Sequence, residues 1–278
     1  MPNTLHIFNG DSTKSIFLKS GLAGDYVVWR EMLCSGPTIA DIHSPEFWKL
    51  RETFIQDRFG ADDYTEIMYE PLKKIQWETF DSIVFWFEYD LFCLINLVAV
   101  ISYVAPQTQA SLLTVDLRGY QINPVEHLKA LGEIEPKEFP VINRKLLQLT
   151  NQDINFAKDC WKAYSTEKNH IDFFKNCSYS SDVFPFLSIV LPEHLARIPE
   201  EGSYSLLDQQ IQKLLKTNSE KETLIKAMSN SQLGYGDSQW VWHIKRVINY
   251  SPLSPQNWNE LYDYQLGGFR LNRTKNIN

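Results

Sequence analysis

The stretch SIVFWFEYDLFCLINL, at positions 82–97, decides how this chain can fold. Its first apolar run ends abruptly at Glu88, Tyr89 and Asp90, and a second apolar run follows without a glycine or proline. A short run of this kind is typical of a strand buried on both faces, and the second run suits a buried helix. The stretch therefore predicts a strand that delivers two carboxylates to its carboxyl end, and a helix that begins directly after them.

Three other segments repeat the strand pattern. Residues 5–8, 25–31 and 112–117 are short runs rich in aliphatic or aromatic residues, and the first two end in polar residues. Helix signals lie between them; the clearest is Ser44 followed by Pro45, a favoured cap and first helical residue. Strands that alternate with helices predict an α/β fold: a Rossmann-like or flavodoxin-like, mainly parallel sheet with helices on both faces.

After residue 123 the pattern becomes helical. Helices are predicted at 136–149, 151–164, 170–177, 183–197, 206–215, 220–230 and 238–250. A hairpin predicted at 264–271 follows the last three, which gives the element order of a winged helix. We therefore expect three parts: an α/β domain at 1–123, an all-helical connecting region at 124–202, and a small winged-helix-like domain at 203–278.

Composition and charge limit the classes of function. Hydrophobic residues make up 44% of the chain and charged residues 22%, as in ordinary soluble globular proteins. The net charge of −7 argues against general nucleic-acid binding, although residues 203–278 are net basic. The start of the chain lacks a signal-peptide pattern, and the longest apolar run is shorter than the roughly 20 residues of a membrane-spanning helix. We expect a cytoplasmic protein without a membrane partner, and the sequence leaves its oligomeric state open.

The four cysteines, Cys34, Cys93, Cys160 and Cys177, are widely spaced. They form no C-x-x-C pair and have no histidine cluster nearby, so neither a zinc ribbon nor a disulfide framework is predicted. Cys34 and Cys93 follow strand ends and could line a cleft there, but buried packing is favoured for both.

Polar clusters follow three of the predicted strands: Asn9-Gly10-Asp11-Ser12, Arg30-Glu31 and Glu88-Tyr89-Asp90. In parallel α/β sheets, ligands bind beyond the carboxyl ends of the strands, especially where the strand order reverses. If the first and third strands are neighbours, as in the flavodoxin-like order, the first and last of these clusters flank one crevice. We then expect an acidic, ligand-binding cleft with Arg30-Glu31 at its margin.

The residues of this cleft receive separate candidate roles. The catalytic candidates are Asp11, Glu31, Glu88 and Asp90. The ligand-binding candidates are His6, Asn9, Gly10, Ser12, Arg30 and Tyr89. Helix capping alone would explain Asp11, Ser12 or Asp90 taken singly. A histidine inside a strand, such as His6, is more often a core residue. Glu88 is harder to explain in this way, because an unpaired carboxylate that ends a buried strand is costly.

The chemistry of the cleft has two alternatives. Asp11, Glu88 and Asp90 could hold a divalent cation such as Mg²⁺ together with substrate phosphates, or the carboxylates could work as an acid and base pair with separated pKa values. The turn after the first strand lacks G-x-G-x-x-G and G-K-[ST]. Neither a dinucleotide fingerprint nor a P-loop is therefore predicted.

Two functions are compatible with these features. The first is an enzyme, a hydrolase or transferase, that acts on a nucleotide or another small polar or phosphorylated substrate. The second is a non-enzymatic regulatory or adaptor protein that senses a small ligand and contacts a protein through its C-terminal part. DNA is the less favoured partner, because the predicted helix at 238–250 has a strong apolar stripe and only two basic residues.

Several motifs resemble a known bacterial family. LHIFNGDS (5–12), GDYVVWREMLCSGP (24–37), FWKLR (47–51) and FWFEYDLFCLINL (85–97) are similar to DUF1835 domains. Members of that family also carry a C-terminal DUF3658 domain, to which GDSQWVWHIKRV (236–247) is similar. The resemblance runs in order over essentially the whole chain. The family's function is unknown, so the resemblance implies a fold and a site location but no reaction.

The resemblance also assigns residues to the family's motifs. Those residues are Asn9, Gly10, Asp11, Ser12, Trp29, Arg30, Glu31, Gly36, Pro37, Trp86, Glu88 and Asp90. One position departs from the pattern, because the family has histidine where this chain has Tyr89. Tyrosine titrates near 10 rather than about 6.5, so a general base or metal ligand at this position would be altered. If the family's histidine only packs or donates a hydrogen bond, Tyr89 can serve in its place.

Overall fold

The computed structural model describes residues 3–118, 130–166, 170–185, 187–198, 204–217, 226, 228 and 233–249. Five strands within these residues form one sheet in the order β2-β1-β3-β4-β5. They are β1 (Thr4–Phe8), β2 (Asp25–Val28), β3 (Ser82–Trp86), β4 (Ser111–Thr114) and β5 (Leu147–Gln148). The first four are parallel, and β5 runs antiparallel to β4. The predicted α/β class and mainly parallel sheet are confirmed.

Helices connect and extend this sheet. They are α1 (Asp11–Phe17), α2 (Pro45–Phe59), α3 (Glu70–Lys73), α4 (Leu91–Val104), α5 (Phe139–Ile142), α6 (Asn151–Tyr164), α7 (His170–Asn176), α8 (Leu187–Ala196), α9 (Leu206–Thr217) and α10 (Asp237–Asn249). Helix α2 begins as its sequence predicts: the Ser44 hydroxyl accepts a hydrogen bond from the Phe47 amide at 3.1 Å, and Pro45 is the first helical residue. It ends at Gly60, whose φ of +69° is the left-handed conformation that glycine adopts without strain.

Hydrophobic side chains cover both faces of the sheet. Along β1 and β3, Ile7 and Phe85 point into one buried cluster, and Phe8 and Trp86 point into a second one on the opposite face. The first cluster contains side chains of α2, α4 and α6, and the second contains side chains of α1 and α5. The prediction of helices on both faces is therefore confirmed.

Helix α4 is the centre of the larger cluster. Of its residues Leu91–Val104, only Phe92 is not buried. A helix that is apolar all round must be covered on every side, and α4 is covered by the sheet together with α6 and α8. The second apolar run of the stretch at 82–97 thus has the buried position that its composition predicts.

The helix predicted at 136–149 is wrong in its second half. A short 3₁₀ turn (Pro136–Glu138) leads into the four-residue α5, and the chain then extends into β5. Residues 147 and 148 pair with Thr114 and Leu113 of β4. Pairing with the open edge of β4 satisfies backbone groups that a continued helix would have satisfied internally.

The C-terminal helices share the main core. Helices α9 and α10 confirm the helices predicted at 206–215 and 238–250, and their side chains Leu207, Ile211 and Trp240 belong to the larger cluster. The predicted hairpin at 264–271, most of the predicted helix at 220–230 and both predicted domain boundaries lie outside the described residues. The winged-helix-like domain therefore stays a prediction.

None of the described helices is both long enough and apolar enough to span a lipid bilayer.

Candidate functional site

The strand order brings the two acidic strand ends together. Strands β1 and β3 are neighbours, with Phe8 opposite Trp86, and the Asn9 amide continues the pairing by donating to the Trp86 carbonyl at 3.1 Å. From β1 the chain first goes outward to β2 on one side and then returns to β3 on the other side. The strand order therefore reverses between β1 and β3, which is where open α/β sheets bind ligands.

Glu88 lies buried at this point, with 8% of its surface exposed. One carboxylate oxygen accepts hydrogen bonds from the Asn9 side-chain amide at 2.6 Å and from the Cys93 thiol at 2.9 Å. The other oxygen accepts from the Leu131 backbone amide at 2.6 Å. Thr13 donates to the side-chain oxygen of Asn9 at 2.7 Å, which orients the amide toward Glu88. Burial raises the pKa of Glu88, despite these donors.

Asp90 follows two residues later and caps α4. Its side chain accepts a hydrogen bond from the Cys93 backbone amide at 2.7 Å, so the capping role considered for it is realised. Desolvation and the neighbouring charge of Glu88 raise the pKa of Asp90 to about 7. Burial and the two carboxylates raise the pKa of the Cys93 thiol well above its ordinary value.

Glu88, Asp90 and Cys93 could together hold a metal ion. One carboxylate oxygen from each acid and the Cys93 sulfur lie within 4.8 Å of one another. No lysine or arginine of the described residues forms an ion pair with either acid. A set that includes a thiolate suits Zn²⁺ better than Mg²⁺, which prefers oxygen ligands.

Asp11 belongs to a different group of charges. Arg30 donates to both of its carboxylate oxygens, at 2.6 and 2.9 Å, and Lys14 donates to one of them. The Arg30 guanidinium is the main cause that holds the pKa of Asp11 down at about 2. Half of the Asp11 side chain is exposed to solvent. The structure therefore brings Asp11 and Arg30 together as a surface ion pair.

Glu31 is held inside the protein, away from solvent. Its carboxylate accepts from Arg51 at 2.9 and 3.1 Å, and both side chains of this ion pair are fully buried. Tyr64 also donates to the Glu31 carboxylate. Arg51 further donates to the carbonyls of Ser35 and Pro37, at 2.8 and 3.1 Å. These contacts tie α2 to the loop after β2 and fully occupy the Glu31 carboxylate.

His6 is a core residue of β1, with 1% of its surface exposed. Its Nδ1 accepts from the Trp86 indole at 3.0 Å, and its Nε2 donates to the Ala23 carbonyl at 3.3 Å. This pairing fixes the neutral tautomer with the proton on Nε2. Burial lowers the pKa of His6 to about 4.

The other candidate residues at the strand ends, Gly10, Ser12 and Tyr89, lie apart from the two acids or contact other parts of the chain. Gly10 has an extended backbone and lies directly before α1. The exposed Ser12 lies against the turn at Leu131–Glu133, where a side chain added at Gly132 would come within 2.7 Å of the Ser12 Cβ. Tyr89 points away from the carboxylates: its hydroxyl accepts from the Leu117 amide at 2.9 Å, and burial raises its pKa to about 12.

Tyr89→Phe is expected to destabilise the protein by about 1–2 kcal/mol, because it leaves the buried Leu117 amide without an acceptor. Urea denaturation of both proteins measures the difference. Tyr26→Phe serves as the control, since its side chain is largely exposed and its ring packs against Phe8 and Phe17. An unchanged midpoint in Tyr89→Phe would show that the hydroxyl has no role in holding the segment after β4.

Some residues of this site were not predicted from the sequence. The sequence favours packing for Cys93 over a place in the cleft, although its position three residues after the helix cap Asp90 is a usable signal. Thr13 acts through Asn9, one helical turn away. The Leu131 amide contacts Glu88, and the backbone of Gly234 lies against Asp90. Both residues are distant in sequence from the acids, and no local pattern identifies them.

Comparisons with known proteins assign no family to this chain. No family model and no curated protein sequence matches the chain. The likeness to DUF1835 and DUF3658 therefore stays a prediction from motif residues. Of those residues, Asn9, Glu88 and Asp90 lie together at the strand ends, whereas Trp29 and Glu31 lie in the core.

Proposed function

We propose that this chain binds a small polar ligand beyond the carboxyl ends of β1 and β3, and that Glu88 and Asp90 act on it as an acid and base pair. The observation that carries the proposal is the pairing of these two carboxyl groups where the strand order reverses, with the pKa of Asp90 raised to about 7. A group that titrates near neutral pH can both give and take a proton under physiological conditions.

The same two carboxyl groups, Glu88 and Asp90, indicate the chemical class of the reaction. Two neighbouring carboxyl groups, of which Asp90 has its pKa raised to about 7, suit hydrolysis or group transfer on a nucleotide or another small phosphorylated or polar substrate. The order 2-1-3-4 of the parallel strands is similar to that of flavodoxin-like sheets, which bind phosphorylated cofactors at this reversal, whereas β5 is antiparallel here. If a metal takes part, Glu88, Asp90 and Cys93 would hold it.

The proposal extends to family and compartment. We place the chain in the bacterial DUF1835 family, with a DUF3658-like, winged-helix-like C-terminal part, on the motif residues given above. Its four cysteines are free thiols, as expected of a protein in the reducing cytoplasm. The adaptor alternative has less support, because the apolar side chains Trp240, Ile244 and Val247 of α10 are buried in the chain's own core.

A thermal-shift screen tests the proposed function. Nucleotides, sugar phosphates and divalent cations are each added to the wild type, to Glu88→Gln and to the exposed-site control Glu46→Gln. A ligand present at 100 times its dissociation constant stabilises the folded state by about 2.7 kcal/mol, which raises the melting temperature by several degrees. We expect such a rise in the wild type and in Glu46→Gln, and its loss in Glu88→Gln.

Two results of the screen would contradict the proposal. One is the absence of any shift in the wild type across the panel. The other is a shift of equal size in the wild type and in Glu88→Gln, which would place the ligand elsewhere. Asp90→Asn, which retains a capping side chain, replaces Glu88→Gln if that variant fails to fold.

A further inference from the structure

Residues 233–236 lie directly against Asp90 of the strand-end site. A side chain added at Gly234 would overlap the carboxylate of Asp90, and Gly234 has a φ of +66°. The neighbours Leu233 and Tyr235 are buried in the main core, with 1% and 6% of their surfaces exposed. The backbone at Gly234 can therefore pass across Asp90 only because this residue is glycine.

The same segment occupies a hydrogen-bond donor at the start of α4. The first amides of a helix have no partner inside the helix. Here the Phe92 amide donates to the Leu233 carbonyl at 3.0 Å, and the Cys93 amide donates to the Asp90 side chain at 2.7 Å. While the segment is in place, the Phe92 amide cannot bind a ligand and Cys93 has only 1% of its surface exposed.

Helix α10 anchors this segment to the α/β part of the chain. Gln239 accepts from the Gly236 amide at 3.2 Å and donates to the Ser35 hydroxyl at 2.9 Å. The next residue, Trp240, is fully buried in the main core. The segment and its anchor therefore form one unit that touches both the site and the loop after β2.

We propose that residues 233–236 are an autoinhibitory cover, which must move aside before a ligand reaches Asp90 and Cys93. The cover spans only four residues, so it can open as a small local unit without unfolding of the sheet. Its opening frees the Phe92 amide and the Asp90 carboxyl, and it uncovers the first turn of α4, where Cys93 lies. The biological meaning of the cover rests on the proposed function, but its existence can be tested without a ligand.

Gly234→Ala tests the cover directly, because alanine disfavours the left-handed backbone and also meets the Asp90 carboxylate. The matched control is Gly60→Ala, since Gly60 has a similar φ of +69° but nothing within 4 Å of an added Cβ. Both variants and the wild type are treated with N-ethylmaleimide under native conditions, and modification of each cysteine is followed by mass spectrometry. Cys160, which is fully buried in α6, reports global unfolding.

We expect Gly234→Ala to raise the modification rate of Cys93 at least about tenfold while that of Cys160 stays as in Gly60→Ala. Amide hydrogen exchange gives a second readout: exchange at Phe92 should accelerate, and exchange at Leu94, whose amide donates to the Asp90 carbonyl within the helix, should not. Equal acceleration at Cys93 and Cys160, or none at Cys93, would overturn the proposal.

Gln239→Ala supplies an independent variant that leaves Gly234 and Asp90 intact, for use if Gly234→Ala does not fold. It removes the anchor to Ser35 and should also raise the Cys93 rate without raising the Cys160 rate. Faster Cys93 modification without any ligand response in the thermal-shift screen would support the cover and contradict the proposed function. A ligand response without faster modification in either variant would do the reverse.

Discussion

Arg51→Met is expected to lower the free energy of unfolding by about 3–5 kcal/mol, because it leaves the Glu31 carboxylate charged and unpaired inside the protein. Both side chains of this ion pair have no exposed surface, and Arg51 makes two of its hydrogen bonds to Glu31 within 3.1 Å. The same guanidinium satisfies the carbonyls of Ser35 and Pro37. Its loss therefore affects a buried charge and two backbone acceptors at once.

Urea denaturation at neutral pH measures this effect. The double variant Arg51→Met with Glu31→Leu should recover part of the loss, since no buried charge remains. Lys49→Met is the control: it breaks an exposed ion pair with Glu52 on the same helix and should cost at most about 1 kcal/mol. If Arg51→Met costs no more than Lys49→Met, the account of Glu31 as a structural residue is wrong.

Asp90→Asn is expected to remove a pH dependence of stability that amounts to about 2–4 kcal/mol in the wild type. The folded protein holds the pKa of Asp90 at about 7, above its ordinary 3.8. The folded state thus keeps a proton that the unfolded chain releases. This contribution is fully present below about pH 4 and is lost as the pH rises through 7. Asparagine caps a helix as well as aspartate does, so the start of α4 is preserved.

His6 acts in the opposite direction over part of the same pH range. Its folded-state pKa, lowered from 6.5 to about 4, disfavours the folded state as the pH falls between those values. Asp90→Asn does not change this term, so the quantity to compare is the difference between wild type and variant. Urea titrations at about pH 5 and about pH 8 should show the variant gaining stability relative to the wild type at the higher pH. Parallel pH dependences would contradict the shifted pKa.

The sequence predicts the sheet and the place of the site well because both depend on local patterns. The apolar runs at 5–8 and 83–87 are each bounded by polar residues, which defines the strands and their carboxyl ends. The adjacency of β1 and β3 follows from a common strand order, and it places Asn9 against Glu88. Helix α4 is equally predictable, since no polar face competes with its burial.

The sequence cannot distinguish a structural carboxylate from a functional one when the residues around both are alike. Glu31 and Glu88 each follow a buried strand, but Glu31 meets an arginine twenty positions later and Glu88 meets only neutral donors. Asp11 likewise forms an ion pair with Arg30 at the surface. No local spacing in the sequence reveals this partner. Which acid is neutralised is decided by tertiary contacts.

Long-range contacts explain the other features that could not be predicted. Gly234 reaches Asp90 from the far end of the chain, and nothing in the turn Leu-Gly-Tyr-Gly marks it as a cover. Strand β5 has only two residues and forms because β4 offers an open edge. The hydroxyl of Tyr89 accepts from the amide of Leu117, a residue 28 positions later that no local pattern connects to it.

Carboxyl titration by carbon-13 NMR tests the central claim most directly, since it observes the Glu88 and Asp90 groups themselves. Spectra of wild type, Glu88→Gln and Asp90→Asn recorded across the pH range assign the two resonances. The account predicts that Asp90 titrates near 7 in the wild type, and lower in Glu88→Gln because the neighbouring charge is gone. Titration of both groups below about 5, as for carboxyls in water, would contradict an acid and base pair at the strand ends.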